Sequence, residues 1–277
     1  MTPHETLLYW IRERYKILLD RAWNRPKPWT KDPILQAYRF CNVHREEDTV
    51  TRWINRNWRT PFAWDPDLWF AMCVARLVNW PDTLQAIGYP VPWKPGHFVA
   101  MMHGRRAAGE KVFSGAYIVS TNGHAMDKAE YLVQHVLTPL WNARVHLRPA
   151  DGDTLREAFN RLQEFNGLGS FMAAQVIADL KYVSPLLESP DWHTFAASGP
   201  GSRRGLNRLV GRSVDTSWKS GQWESVLAIE HAKILKALGP TFPTLHAQDF
   251  QNCLCEFDKY MRVKLGEGKP RSGYPGK

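Results

Sequence analysis

Along most of the chain, apolar residues recur at three- and four-residue steps, and the runs are separated by proline-rich or glycine-rich breaks. That pattern predicts an all-α protein. Leu8, Ile11, Tyr15, Leu18 and Leu19 mark a first helix over Glu5 to Trp23, stopped by Pro26-Lys27-Pro28. Pro33 opens a second helix whose apolar row is Phe40, Val43, Val50 and Ile54. Pro66 stands in the first turn of another through Leu77, capped by Asp65, and Trp80-Pro81-Asp82 starts the next. Ile87 to Gly96 reads as a loop. Phe113 to Ser120 is the one candidate strand; the turn Thr121-Asn122-Gly123 follows it, and Lys128 begins the helix after that. Between Thr154 and Tyr182 two helical patterns are joined by Phe165-Asn166-Gly167-Leu168-Gly169-Ser170. Helices over Trp223 to Leu238 and from Leu245 toward Met261 complete the series, and the basic, glycine-rich residues from Gly266 onward have the composition of a disordered tail.

Polar positions within this pattern suggest chemistry. Arg39, Asn42, Arg45 and Asp48 recur at every third residue, which on a helix makes a slanting ridge able to bind and react. The same spacing also describes a solvated face with local ion pairs. Glu47 falls within the apolar row, where a carboxylate needs a partner. Gln248, Asn252, Glu256 and Lys259 share one face of the last helix, opposite Phe250, Leu254, Phe257 and Met261, so that face either meets solvent or lines a cleft. Gly167 and Gly169 permit positive φ and leave amides at the start of the next helix, Ser170 among them, free to meet a phosphate. That is the logic of a helix-hairpin-helix, although an ordinary interhelical turn has the same residues. Further on, Ser198 to Gly205 is glycine-rich and carries Arg203 and Arg204, which suits either a phosphate cradle or a surface loop.

Composition narrows the partners. With 277 residues and 44% hydrophobic content the chain can bury a large core, and its formal charge of +9 favours a polyanion such as nucleic acid. Several of the 13 tryptophans adjoin Arg or Lys, an interleaving that fits base stacking or plain packing. Four cysteines without paired spacing and ten scattered histidines argue against structural metal, and no cofactor is expected. No apolar run is long enough to span a bilayer and Met1 to Asp20 is unlike a signal peptide, so an intracellular protein is expected. The phosphate loop of nucleotide kinases, Gly-x-x-x-x-Gly-Lys-Ser/Thr, is absent from the sequence.

The hairpin from Phe165 to Ala173, with Asp191 about twenty residues on, resembles the helix-hairpin-helix DNA glycosylases. Phe171 stands where their lyase members place a lysine, which excludes Schiff-base chemistry there. Together with Arg39-x-x-Asn42-x-x-Arg45-x-x-Asp48, Phe113-Ser114-Gly115-Ala116-Tyr117, the Ser198 to Gly205 loop and Leu254 to Tyr260, the chain looks like a bacteriophage family. That family comprises the α-glutamyl/putrescinyl thymine pyrophosphorylases, or amino acid:DNA transferases, and the helical domain of 5-hydroxymethyluracil DNA kinases. The resemblance implies a two-lobed, helix-hairpin-helix glycosylase-like unit over 1–262, with the hairpin at about 154–182 and a flexible basic tail over 263–277. It further implies work on phage DNA, in the cytoplasm of the infected host, in which pyrophosphate on activated 5-hydroxymethyluracil is replaced by an amine. The partners would be double-stranded DNA containing modified thymine, a small amine donor and a 5-hydroxymethyluracil DNA kinase, with no membrane. Arg39 and Arg45 are assigned to the pyrophosphate, Asn42 to the base edge or substrate orientation, and Asp48 or Asp191 to amine deprotonation. Lys128 and Glu256 are secondary candidates, while Gly167, Gly169, Ser170, Arg203 and Arg204 hold DNA. Base excision with Asp191 activating water, and a non-catalytic DNA-binding module, are the alternatives. Duplex affinity is expected to fall steeply between low and moderate salt in a titration, and an affinity indifferent to ionic strength would contradict polyanion binding.

Overall fold

The computed structural model describes residues 1–115, 117 and 120–270. It forms two compact units, Met1–Asp48 with Ala196–Lys277, and Thr49–Phe195. Among the described residues the structure is helical with no strand. Ala116, Ile118 and Val119 of the expected strand lie outside the described residues, and Phe113, Ser114, Gly115 and Tyr117 are irregular.

In the first unit, Pro3–Ala22 is a helix begun by a Thr2/Glu5 capping box and ended before the predicted proline break. Its fully buried apolar residues are Leu7, Trp10 and Ile11 rather than the stripe expected through Leu18 and Leu19, which are half-buried. Helices Gln222–Leu238 and Ala247–Lys264 agree with the pattern. One expectation fails. The Ser198 to Gly205 segment is no loop, because Pro200, in the first turn, opens helix Pro200–Leu209 and Ser202 Oγ accepts the Gly199 amide at 3.0 Å. Its glycines serve packing: a Cβ on Gly205 would sit 2.0 Å from the Leu254 carbonyl oxygen, and one on Gly201 would be 3.3 Å from Cys255 Sγ. Of the expected tail, Glu267 pairs with Arg208, and residues 271–277 lie outside the described residues.

The larger correction concerns the ridge. The helix opened by Pro33 ends at Ala37, and Tyr38 turns extended at φ −119°, ψ 149°. Only one 3₁₀ turn, Arg45–Glu47, interrupts the irregular path to Asp48. Phe40 to His44 is a run of weak helix formers, and tertiary hydrogen bonds supply the alternative. Phe40 and Val43 enter the core of this unit, whereas Val50 and Ile54 belong to helix Thr49–Ile54 of the other. The four do not form one row, and Glu47 is half-buried in the 3₁₀ turn.

At the centre of the second unit, helix Leu68–Val78 is buried along its whole length. It starts two residues after Pro66, with Asp65 Oδ1 accepting the Asp67 amide at 2.8 Å instead of capping the helix directly. From this helix Arg76 pairs with Asp179, Nε to Oδ2 at 2.6 Å, and donates to Thr51 Oγ1 at 3.0 Å. Both charges are almost wholly buried, and each is tolerated because the other is there. The predicted hairpin is present between Leu155–Gln163 and Ser170–Leu180. Gly167 has φ +83°, and a Cβ there would stand 2.7 Å from Val136 Cγ2, so the turn admits only glycine. Gly169, at φ −56°, makes no such demand.

Gly205→Ala is expected to lower stability by about 1–3 kcal/mol in denaturant unfolding, since the helix crossing must open. Gly104→Ala, inside helix Pro95–Ala107 with nothing within 4 Å of the added methyl, is expected to be neutral or stabilising. Equal effects at the two positions would contradict the close crossing.

Candidate functional site

Having no helical ladder, the backbone from Phe40 to Arg45 is met by side chains. Arg14, from the first helix, donates through Nε to the Cys41 carbonyl (3.0 Å) and through Nη2 to the Phe40 carbonyl (3.3 Å) and Asn42 Oδ1 (2.6 Å). The last helix contributes further contacts. Glu256 accepts the Cys41 amide (3.0 Å), Asn252 donates to the Asn42 carbonyl (3.3 Å), Lys259 donates to the Arg39 carbonyl (3.1 Å) and Asp249 accepts the Arg45 amide (3.0 Å). The polar face of that helix therefore grips the chain, and Glu256 is braced in turn by Lys259 at 2.6 Å. Arg14 escaped notice in the sequence. The signal was there, since it stands seven residues after Leu7 and so continues the buried stripe Leu7, Trp10, Ile11.

Asn42 and Asp48 close this clamp. The Asn42 amide donates to Asp48 Oδ1 at 2.9 Å, and its Nδ2 donates to the same oxygen at 3.1 Å and to the Glu47 carbonyl at 2.8 Å. Asn42 is thus engaged at both ends of its carboxamide and orients Asp48. Asp48 Oδ2 accepts no hydrogen bond among the described residues. Desolvation raises the proton affinity of Asp48 above the ordinary aspartate range, against the opposing pull of the Asn42 amide and the Arg45 and Arg14 charges. A carboxylate with a raised proton affinity, one unengaged oxygen and guanidinium charge beside it is suited to accept a proton where an anion also binds. Cys41 shares this environment, but burial, together with Glu256 and Asp48, pushes its thiol well above the usual range, so it stays protonated and is a poor nucleophile. Arg39 is exposed at the margin, its carbonyl tied to Lys259.

Of the other predicted residues in this unit, Arg204 is compensated by Asp215 at 2.6 Å and Asp258 at 3.3 Å. Arg203 is exposed, and its Nε and Nη2 donate to Ser198 Oγ at 3.0 and 2.8 Å.

Asp191, Lys128 and the hairpin belong to the second unit. Asp191 accepts the Leu155 and Arg156 amides at 2.7 and 3.0 Å, one on each oxygen, and so caps the first helix of the hairpin. Lys128 lies with its amine 4.0 Å from the Phe113 ring centroid, and burial lowers its pKa. Gly169, Ser170 and Phe171 are exposed, and their amides meet no acceptor among the described residues. Such a helix N-terminus favours anions.

A family model described as 5-hmdU DNA kinase, helical domain, matches residues 2–270. The 5-hmdU DNA kinase of Bacillus phage SP10 is 28% identical over 227 residues, which cover 72% of this chain and 35% of that relative. The chain therefore spans little more than a third of the curated relative's length. No solved structure matches. With nearly its whole length matched, the chain belongs to the 5-hmdU DNA kinase helical-domain family.

Proposed function

We propose that this chain modifies thymine-derived bases in phage DNA, replacing the pyrophosphate of an activated 5-hydroxymethyluracil with an amine. The observation that carries the reading is Asp48, a desolvated carboxylate with one unengaged oxygen and the charges of Arg14 and Arg45 close by. In the reaction, Asp48 takes a proton from the incoming ammonium, and the freed nitrogen lone pair forms a bond to the exocyclic methylene carbon. The carbon–oxygen bond breaks as it does so. Pyrophosphate leaves with the bonding electrons, and Arg45 and Arg39 stabilise its charge. Asn42 and Glu256 hold the segment in place, and Asp48 is preferred to Asp191 as the base because both oxygens of Asp191 are engaged in capping a helix. The same engagement weighs against base excision through Asp191.

A helix-hairpin-helix, glycosylase-like grip on DNA fits the second unit, whose exposed amides at Gly169 to Phe171 suit a phosphate. Arg203 adds an exposed charge on the first unit; Lys128 is a secondary amine-site candidate. Partners on this reading are modified duplex DNA, a small amine and a 5-hydroxymethyluracil DNA kinase, in the cytoplasm of the infected host. A second reading has one observation in its favour: the relative is named a kinase and extends well beyond the matched segment. On it, the chain is a non-catalytic module that presents DNA to a kinase.

Purified protein, pyrophosphorylated 5-hydroxymethyluracil DNA and a panel of amines, read by nucleoside mass spectrometry, separate the two. An amine adduct is expected, and Asp48→Asn is expected to slow its formation about 100-fold or more while leaving DNA affinity unchanged. No adduct with any donor would sink the transferase reading, and persistent DNA binding would then favour the module. The rate is also expected to fall with decreasing pH at a value above the ordinary aspartate range of about 4. For stability the sign is opposite to that of an ion-paired aspartate. Because the folded state raises the affinity of Asp48 for its proton, its contribution is full at low pH and lost as pH rises, so Asp48→Asn is expected to unfold no more easily than wild type at neutral pH.

A further inference from the structure

The proposed reaction needs a base held outside the stack, and Asn42 is already committed to Arg14, Glu47 and Asp48. A different contact for a base is present beside the hairpin. Phe171, in the first turn of helix Ser170–Leu180, is 50% exposed, whereas Met172 and Ala173 next to it are buried. Its ring is met edge-to-face by Tyr117, with centroids 5.0 Å apart and planes at 85°. Half of the Phe171 side chain stays open to solvent beside that contact. Tyr117 is also fixed in place: its hydroxyl donates to Gln175 Oε1 at 2.8 Å, and its amide donates to Ser114 Oγ at 3.3 Å. Ser114 Oγ is bonded in turn by Asn79 Nδ2 at 3.2 Å. An exposed aromatic ring braced by a hydrogen-bonded tyrosine therefore sits within one helical turn of the exposed Gly169, Ser170 and Phe171 amides, on a chain of charge +9.

Phosphate donors next to an open ring match a nucleotide strand, whose backbone is anionic and whose bases carry π faces. We propose that Phe171 and Tyr117 form a stacking site for an unstacked pyrimidine of a DNA strand whose phosphate rests on the Gly169 to Phe171 amides. This rests on the reading of the chain as a DNA-binding protein. Ring faces and backbone amides read no sequence, so the site selects for an unpaired base and tolerates its neighbours.

The test compares a fully paired duplex with one carrying a single unpaired pyrimidine, each bound by wild type, Phe171→Ala and Phe171→Trp. Wild type is expected to prefer the unpaired site. Phe171→Ala is expected to lose about 5- to 100-fold of affinity there, the range of base–aromatic stacking, with paired-duplex affinity and its salt dependence unchanged. Phe171→Trp should keep the preference. A fluorescent pyrimidine analogue at the unpaired position should be quenched by wild type and Phe171→Trp but not by Phe171→Ala. Retention of both preference and quenching in Phe171→Ala would overturn the stacking site while leaving DNA binding intact. Failure of every variant to bind either duplex would instead remove the DNA reading on which the site rests.

Discussion

A backbone stretch that forms neither helix nor sheet must have its amides and carbonyls satisfied in some other way, and in the first unit that constraint organises everything around Phe40 to Asp48. Arg14 reaches in from one helix, and Asp249, Asn252, Glu256 and Lys259 from another, so charged side chains are drawn onto a buried strip of main chain. Asp48 is desolvated at the end of this strip, with the Arg14 and Arg45 charges lowering and the Glu256 charge raising its proton affinity. A structural necessity and a chemical opportunity thus share one set of bonds. The crossing of Pro200–Leu209 over Ala247–Lys264 supports the arrangement, since Gly201 and Gly205 let the two helices approach on a different side of the gripping helix.

The second unit works differently. Its buried Arg76–Asp179 pair ties helix Leu68–Val78 to helix Ser170–Leu180, the second helix of the hairpin. Gly167 against Val136 and Asp191 on the amides of Leu155 and Arg156 secure the turn and the first helix. With these parts held rigid, the exposed amides of Gly169 to Phe171 are presented as a fixed feature. On the proposed function, phosphate contact by such a feature carries no sequence information, which suits a protein directed to a modified base rather than to a sequence.

Much of this was legible in the chain because it rests on local rules. Helix spans followed apolar periodicity, Pro26-Lys27-Pro28 ended the first helix, and the glycine hairpin declared itself. The misreadings fall where tertiary contacts outweigh local pattern. A three-residue polar repeat from Arg39 to Asp48 has helical spacing, yet weak helix propensity and the gripping side chains of two helices make another path better satisfied. Gly201 and Gly205 looked like a phosphate loop because glycine is equally the residue of close helix crossing, and only the approach of Leu254 distinguishes the two. Asn42 and Asp48 of that repeat meet in one network with Glu256 of the last helix through the segment between them, joined by Arg14, whose place in the first helix's stripe gives no local sign of this role.

On the proposed function, the clamp leaves Asp48 as a desolvated carboxylate able to take a proton. Carboxyl-carbon NMR of protein labelled at aspartate, with Asp48→Asn identifying the resonance, measures this directly across a pH titration. The expected midpoint lies above the ordinary aspartate value of about 4 and rises further in Arg14→Gln as a neighbouring positive charge is removed. A midpoint at or below that value in the wild-type protein would contradict it.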